Sequence, residues 1–554
     1  MGIKESISAI EIEIDVDGIS DPKLKSIFIQ LLNIMEQQSQ EIKELKEENQ
    51  RLRDENVRLK GEKGKPDIRP QKKENKDISS EKERKSKNNK RNRNSKEKKH
   101  KIKIDRVERC DIPADQLPSD VVFKGYQNNI VQDIIIKTDN IQFQKAVYYS
   151  PSLKKTFIAP LPKGYKGEFG PNVKTIILVQ HFISKMTEPE IVRFLNNYGI
   201  HISAATVSRI ITDDQDVFHA EKTDIVKAGL PATPYQQMDD TSARVNGINY
   251  YTHVLCNPLY TAYFTKPRKD RLTILEILCQ NELSFRFDES AYALMAQMKL
   301  SEKTLMKLKK VVSKKNMKRS KVEVLLEQLF PEAGTHKKSR QIIREASAII
   351  SYQHRSDAIQ ILLTDDAPQF KQVTTLSALC WVHDGRHYKK LEPIFPWHRK
   401  KLEQFLDQYW DYYHRLLAYT QSPKKSFATQ LELEFDTIFS TKTWYKSLDE
   451  RIARTKEKKD SLLLALQYPI LPLHNNASEL GARTQARYRD ISFQTKNLKG
   501  TEARDTFMTI TETAKKLVVN VIDYIYDRVS RKFQMTSLAN LIRMRSDALT
   551  CNTS

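Results

Sequence analysis

Residues 235–247 read YQQMDDTSARVNG, and this stretch, together with the apolar runs after it, decides the class of fold. YQQMDD (235–240), NYYTHVLCN (249–257) and LYTAYFTK (259–266) read as three successive strands, the last two joined by a short Asn257-Pro258 turn. AIQILLT (358–364) has the apolar run of a buried fourth strand, and LSALCWVHD (376–384) reads as a fifth. Periodicity gives an α/β class and no more. Three acids stand on this frame. Asp239 ends the first strand, Asp365 follows the fourth, and Glu479 lies in HNNASELGAR (474–483), which leads into a polar helix. Two strand-end aspartates and a late helical glutamate suit a divalent-metal site for phosphodiester chemistry. Magnesium binds through few carboxylates and leaves room for phosphate and water oxygens. Both aspartates have acidic neighbours, Asp240 and Asp366, and successive strand residues face opposite ways. Only one of each pair is therefore expected in the site.

Two helical insertions are expected to interrupt the strands, a basic one at about 281–355 and a second at about 393–469. Ahead of the strands, residues 167–225 read as a helix-turn-helix. VKTIILVQHFISKM and TEPEIVRFLNNYG supply two helices, Thr187 and Glu190 have capping-box spacing, and Ser203 caps a third. Val207, Ile210 and Ile211 bury that third helix, which leaves Ala204, Thr206, Ser208 and Arg209 facing out as candidates for DNA contact. Residues 110–166 suggest a small β-rich segment with strands in VVFKGY, DIIIKT and KAVYYS. Before it, 61–109 is Lys, Arg, Asn, Ser and Glu with almost nothing apolar. This is expected to be a disordered basic linker, either a spacer or a salt-sensitive hold on phosphates.

Residues 21–60 read as a coiled coil behind a tail at 1–20. Leu24, Leu31, Leu45, Leu52 and Leu59 share one heptad position. Phe28, Met35, Ile42, Asn49 and Asn56 share the companion position, where buried asparagines favour a parallel, in-register dimer. Residues 531–554 read as a C-terminal tail.

The chain carries 93 Lys plus Arg against 70 Asp plus Glu, a net charge of +23. So large an excess favours a polyanionic partner, and nucleic acid is the commonest. The five cysteines are scattered, with no CxxC pair and no disulfide framework. No apolar run spans a membrane and no signal-peptide pattern opens the chain; MGIKES fits the myristoylation template only formally. The expected setting is the cytoplasm, on the nucleoid of a prokaryote.

Longer words carry a resemblance. MDDTSARVNG, LLTDDAPQF, CWVHDGRHYKKL, LPLHNNASELGAR and ISFQTKNLKGTEARDTFMTITETAKK occur in the order seen in the DDE transposases of the insertion-sequence family numbered sixty-six. GTEARDTFMTITETAKK (500–516) is the most specific of them and HNNASELGAR is next. The resemblance implies an RNase H-like mixed sheet flanked by helices, spanning 226–530 with its insertions. The family's D-E-T triplet falls on Asp239-Asp240-Thr241 and its T-D-G on Thr364-Asp365-Asp366. That puts the metal ligands at Asp239, Asp365 and Glu479, with Asp240 and Asp366 as second choices, and Arg483 at the family's following arginine. The ions implied are two magnesium, with manganese as a substitute.

The family usually has D-N-N before its glutamate. Here His474-Asn475-Asn476 stands instead, so His474 either replaces an outer contact or impairs the site. Related chains often have a cysteine zinc ribbon within the segment at 110–166. This one keeps only Cys110 there, so a metal-free remnant is expected. The C-W-x-H word at Cys380–His383 resembles one in the family and is read, with Arg386, Asn475 and Asn476, as support for the site. Cys380, His383 and His387 are also spaced like part of a zinc site, without a fourth ligand. Trp381, Trp410, Tyr412 and Tyr413 either stack on bases or fill a helical core.

The resulting expectation is a homodimeric or larger DNA transposase that cuts element ends and joins them to target DNA, with possible accessory proteins from the same element. The alternatives are a non-catalytic dimeric DNA-binding protein and a nuclease without strand transfer.

Overall fold

A computed structural model describes residues 16–59, 103–113, 116, 118, 121–280, 283–312, 314–331 and 336–551. The first fifteen residues, most of the basic linker and the last three residues lie outside the described residues. Nine strands are described. β1 (Val147–Ser150) and β2 (Lys155–Ile158) form an exposed antiparallel hairpin. β3 (Tyr235–Val245), β4 (Ile248–Cys256) and β5 (Thr261–Lys266) form an antiparallel meander. β6 (Ser284–Arg286) and β7 (Asn316–Lys318) make a small ribbon in the first insertion. β8 (Ile361–Thr364) and β9 (Leu376–Leu379) extend the meander in parallel, giving a five-stranded mixed sheet of order β5-β4-β3-β8-β9.

The first central strand is longer than expected. Asn246 and Gly247 both have positive φ and form a two-residue turn of the kind that joins twisted antiparallel strands, so β3 runs through to Val245. Asp239 is thus inside its strand and does not end it. The fifth strand is shorter than expected, for the opposite reason. The Cys380 amide makes a last ladder bond to the Thr364 carbonyl (3.0 Å), and helix Trp381–Lys389 begins at once. Trp381, Gly385 and Tyr388 are buried at helical spacing, which the reading of LSALCWVHD as one strand overlooked.

Two cores flank the sheet. Met238, Leu255, Ala262 and Leu362 pack into one, together with the helices before the sheet and those of the first insertion. Ile361, Leu363 and Ala378 pack into the other, with Trp381 and the helices of the second insertion. The first insertion is helical, as expected, apart from the β6–β7 ribbon. The second comprises helices Pro396–Gln421, Lys425–Ile438 and Lys446–Lys456 plus two single turns. Tyr412 and Tyr413 are buried here with Trp381, and half-buried Trp410 lies edge-on to Tyr409 and Tyr413. These rings fill a core and are not free for bases.

Before the sheet come helices Pro171–Phe182, Glu188–Asn197, Ala204–Thr212 and Asp216–Gly229. Ile191, Leu195, Val207 and Ile211 are buried as expected, and Ser203 Oγ accepts from the Thr206 amide at 3.2 Å. Thr187 occupies the cap position but its side chain makes no capping hydrogen bond, so the spacing with Glu190 does not produce a capping box. Between 121 and 146 there is no strand. VVFKGY and DIIIKT form no strand and leave most of their apolar side chains in solvent, and only Val147–Ser150 of the third run pairs. Cys110 is exposed and free.

Helix Pro22–Leu59 covers the coiled-coil stretch. Its amino-terminal half docks on the second insertion: Ile29 and Leu32 pack with Val16 and Trp397, and Glu36 accepts from the Ile394 amide (2.9 Å) and pairs with His398 (3.2 Å). Phe28 joins that contact, which takes it out of the heptad seam. Leu24, Leu31, Met35, Ile42, Leu45 and Leu52 remain exposed. The segment from 531 is not a loose tail. Helix Leu538–Cys551 buries Leu538 and Ile542, and the Leu538 amide donates to Glu221 at 2.9 Å. No described helix is long and apolar enough to cross a membrane.

Candidate active site

The parallel pairing of β3 with β8 brings the two aspartates together. Its last pair is Gln237 with Leu363; Asp239 lies two residues on within β3, and Asp365 stands one residue past the end of β8. The two carboxyls are near enough for the Asp365 charge to act on Asp239. Burial, reinforced by the Asp365 carboxylate and more weakly by Asp240 and Glu479, pushes the Asp239 carboxyl up to about 7. Burial also raises Asp365, against the hydrogen bond its carboxylate accepts from the Ala367 amide at 3.1 Å.

The neighbouring acids have other partners. Asp240 accepts from Gln369 at 2.6 Å and lies 3.6 Å from Lys269. Asp366 pairs with Lys458 (2.5 Å) and Lys371 (3.1 Å). Burial works to raise Asp366, but those two lysines overcome it and hold the carboxyl below its ordinary value.

Glu479 reaches the same face from helix Asn476–Ser492, which packs across β3 and β4. Gly481 permits the approach. A Cβ there would stand 2.7 Å from Val254 Cγ1, and Val254 is the β4 partner of Asp239. Asn475 fixes the start of the helix: its side-chain amide donates to the Met238 carbonyl (2.9 Å) and its backbone amide to Cys380 Sγ (3.2 Å). Asn476 is buried beside it, and His474 is half-buried. Glu479 is itself buried and accepts from Arg386 Nη2 at 3.1 and 3.3 Å, with His383 Nδ1 3.6 Å away. Arg386 and His383 are three residues apart on one helix, so they share the face turned to Glu479.

Cys380 Sγ, a His383 nitrogen and a Glu479 oxygen lie within 4.8 Å of one another. Burial pushes the Cys380 thiol up to about 12, so it serves here as a neutral acceptor for Asn475. His387 does not join this group. It lines a cavity of about 370 Å³ on the Asp365 side, with Lys390 and Lys458. A groove of about 270 Å³ on the other side is lined by Asp239, Thr241, Glu479 and Arg483. His383 and Arg386 border both.

The residues of the third helix before the sheet lie apart from these cavities. Arg209 is exposed and folds back on its own helix, donating to Thr206 Oγ1 at 3.1 Å, while Thr206 and Ser208 are half-buried.

No protein-family model matches the chain. The uncharacterized protein y4jO of Sinorhizobium fredii is 30% identical to it over 327 residues, which is 58% of this chain and all of y4jO. The chain belongs to the same family as y4jO. That kinship carries no activity with it.

Sequence reasoning missed what GTEARDTFMTITETAKK does in the fold. The word lies in helix Leu498–Lys516, beside edge strand β5. Asp505 accepts from the Thr265 amide (2.6 Å) and hydroxyl (2.8 Å), Thr509 from the Tyr263 amide (3.1 Å), and Thr513 from the Thr261 amide (3.2 Å). Three side chains four residues apart thus satisfy three alternate amides of an edge that would otherwise be open. The spacing was available as a signal. The Lys458 partner of Asp366 was not, because it arrives from the far end of the second insertion.

Proposed function

We propose that the chain is a DDE-type DNA transposase, similar to those of the insertion-sequence family numbered sixty-six, that cuts element ends and joins them to target DNA. The observation that carries this reading is that Asp239, within β3, and Asp365, just past the end of its parallel neighbour β8, are near enough for one charge to act on the other, with Glu479 reaching them from a helix packed on the same sheet. The sheet, with three antiparallel strands continued by two parallel ones and flanked by helices, supports an RNase H-like core.

The donor set fits magnesium. Three carboxylates offer only oxygen, and a divalent cation would offset both the burial that chiefly raises Asp239 and the repulsion from its neighbours that adds to it. Asp239, Asp365 and Glu479 would hold it, with manganese as a substitute. When bound, such ions activate the attacking oxygen and stabilise the leaving one. Cys380 and His383 brace the site, Cys380 accepting from the Asn475 amide and His383 standing beside Glu479.

In this reading a water oxygen attacks the phosphodiester at an element end and releases a 3′-hydroxyl, which then attacks target DNA in line. Arg483, in the groove beside Asp239 and Glu479, is positioned to hold a substrate phosphate. Arg386 and His383 orient Glu479. The three short helices around Arg209 act as a helix-turn-helix on element ends, with Thr206 and Ser208 beside it. The exposed heptad seam pairs two copies in parallel. The work takes place on the nucleoid, with accessory proteins of the same element where it needs them.

The test is purified protein on labelled element-end duplexes, with and without magnesium. Metal-dependent nicks and joined products are the expected result. Nicks without joining would indicate a nuclease, and binding without nicks a non-catalytic DNA-binding protein.

A further inference from the structure

The first insertion contains a concentration of positive charge that the site does not use. Residues 299–321 carry ten lysines and arginines against one acid, Glu302. The described part of this stretch is folded. It spans helix Glu302–Val311, strand β7 and the first turn of helix Arg319–Leu329. Three of its cations have acidic partners: Lys309 with Glu289, Lys315 with Asp288 and Arg319 with Glu276. Lys303, Lys307, Lys310, Lys314, Lys318 and Lys321 are exposed, and none forms an ion pair among the described residues.

Geometry gathers them. Lys303, Lys307 and Lys310 follow at spacings of four and three, which is one stripe of a helix. Leu308 is buried on the opposite side, and Leu305 packs beside it. The stripe therefore points away from the core. Its length is about 10 Å at 1.5 Å per residue, and Lys314 and Lys318 follow it in the chain. Lys321 and Arg319 stand in the first turn of the next helix, where the macrodipole is already positive. Like charges so placed repel one another in the free protein, and no described acid pairs with these six lysines to relieve them.

We infer that this face of the first insertion binds the phosphate backbone of duplex DNA, without regard to sequence. One strand of duplex advances about 3.4 Å per phosphate, so a 10 Å stripe of lysines runs beside about three of them. Lysine at a helix surface is a mobile point charge suited to phosphate and poorly suited to reading bases. Arg319 ties the module through Glu276 to helix Arg271–Leu278. Lys266 at the end of β5 and Arg268 and Lys269 in the loop before that helix continue the charge, and Lys269 lies beside Asp240. A duplex held at the lysine stripe thus has a basic path towards the carboxylates. This inference rests on the reading of the chain as an enzyme that acts on DNA.

The test uses the full chain, a fluorescent duplex unrelated to the element, and binding measured from about 50 to 300 mM salt. K303Q/K307Q/K310Q/K314Q should bind at least tenfold more weakly near 100 mM and lower the salt slope by about 2 to 4. K424Q/K425Q/K442Q, which removes exposed charge from the second insertion, should leave the slope as it is. Unchanged circular dichroism confirms that the exposed substitutions spare the fold. An unchanged slope in the quadruple variant overturns the inference, as does a larger loss on duplex RNA than on DNA. If the wild type binds no duplex at all, both the inference and the transposase reading fall. If the slope drops as expected but magnesium produces no nicks, only the catalytic reading fails.

Discussion

Glu479 and Asp505 are buried acids on two consecutive helices that pack against the same sheet, and their surroundings differ in kind. Asp505 completes the hydrogen bonding of an edge strand, taking the amide and hydroxyl of Thr265. Its oxygens are committed to the fold. Among the described residues, the Glu479 carboxylate bonds no backbone group. Two side chains on a neighbouring helix hold it, Arg386 directly and His383 at longer range, and it faces the like-charged pair Asp239 and Asp365. The lesson is that burial alone does not mark a functional acid. A carboxylate whose oxygens are taken up by the donors of an edge strand is structural, whereas carboxylates turned towards one another leave electrostatic work for a cation.

The largest effects should fall on the second kind. Asp239→Asn, Asp365→Asn and Glu479→Gln should each reduce magnesium-dependent cleavage by more than about 100-fold, beyond the range for outer-shell groups, with circular dichroism and DNA binding unchanged. Asp240→Asn and Asp366→Asn should retain much more activity, because those acids are paired with lysines and an amide. The reverse pattern would move each ligand by one residue.

Next come the holders of Glu479. Arg386→Gln and His383→Gln should each cost about 10–100-fold in cleavage, read in the same nicking assay. If either matches the loss in Glu479→Gln, that residue touches substrate as well.

Asp505→Ala should do the opposite: destabilise by about 1–3 kcal/mol through the unsatisfied Thr265 amide, seen in urea melts, while folded protein keeps its cleavage rate. Gly481→Ala tests the link between packing and chemistry. Its Cβ must displace Val254, so a penalty of about 1–3 kcal/mol for overpacking should come with a loss of cleavage, since Glu479 moves with the helix.

The smallest effect is a gain. Without metal, Asp239→Asn should melt higher than wild type at neutral pH and above, because it removes a buried charge from a repelling set. The folded protein holds the Asp239 proton up to about pH 7, whereas an unfolded aspartate loses it near pH 3.8. This contribution to stability therefore falls as pH rises through that window, so the advantage of the Asn variant should be widest above pH 7 and close towards pH 4. Magnesium should raise the melting temperature of wild type and not of the variant.

The α/β class and the identities of the three acids were legible because each sits in a short local word. Their convergence was not, because it depends on a register between β3 and β8 set across the whole first insertion. The extent of β3 was misread because Asn246-Gly247 is a turn in which both residues need positive φ, and the strand was ended at the acids instead. CWVHD looked like a strand continuing its apolar run, yet Trp381, Gly385 and Tyr388 share a helical face. Phe28 fitted the heptad by spacing but packs within its own chain, since a helix can carry two apolar faces and spacing alone does not say which one meets a partner. The words at 474–483 and 500–516 read as the two most specific parts of one signature. In the fold one builds the candidate site and the other closes the edge of the sheet.

The most direct test of the central claim is cleavage of a labelled element-end duplex by wild type, Glu479→Gln and Asp505→Asn side by side, with magnesium present and then chelated. Wild type and the folded fraction of Asp505→Asn should give metal-dependent nicks bearing 3′-hydroxyls, and Glu479→Gln should give none. Nicking that survives in Glu479→Gln, or the absence of nicking by folded, DNA-bound wild type, would contradict the claim.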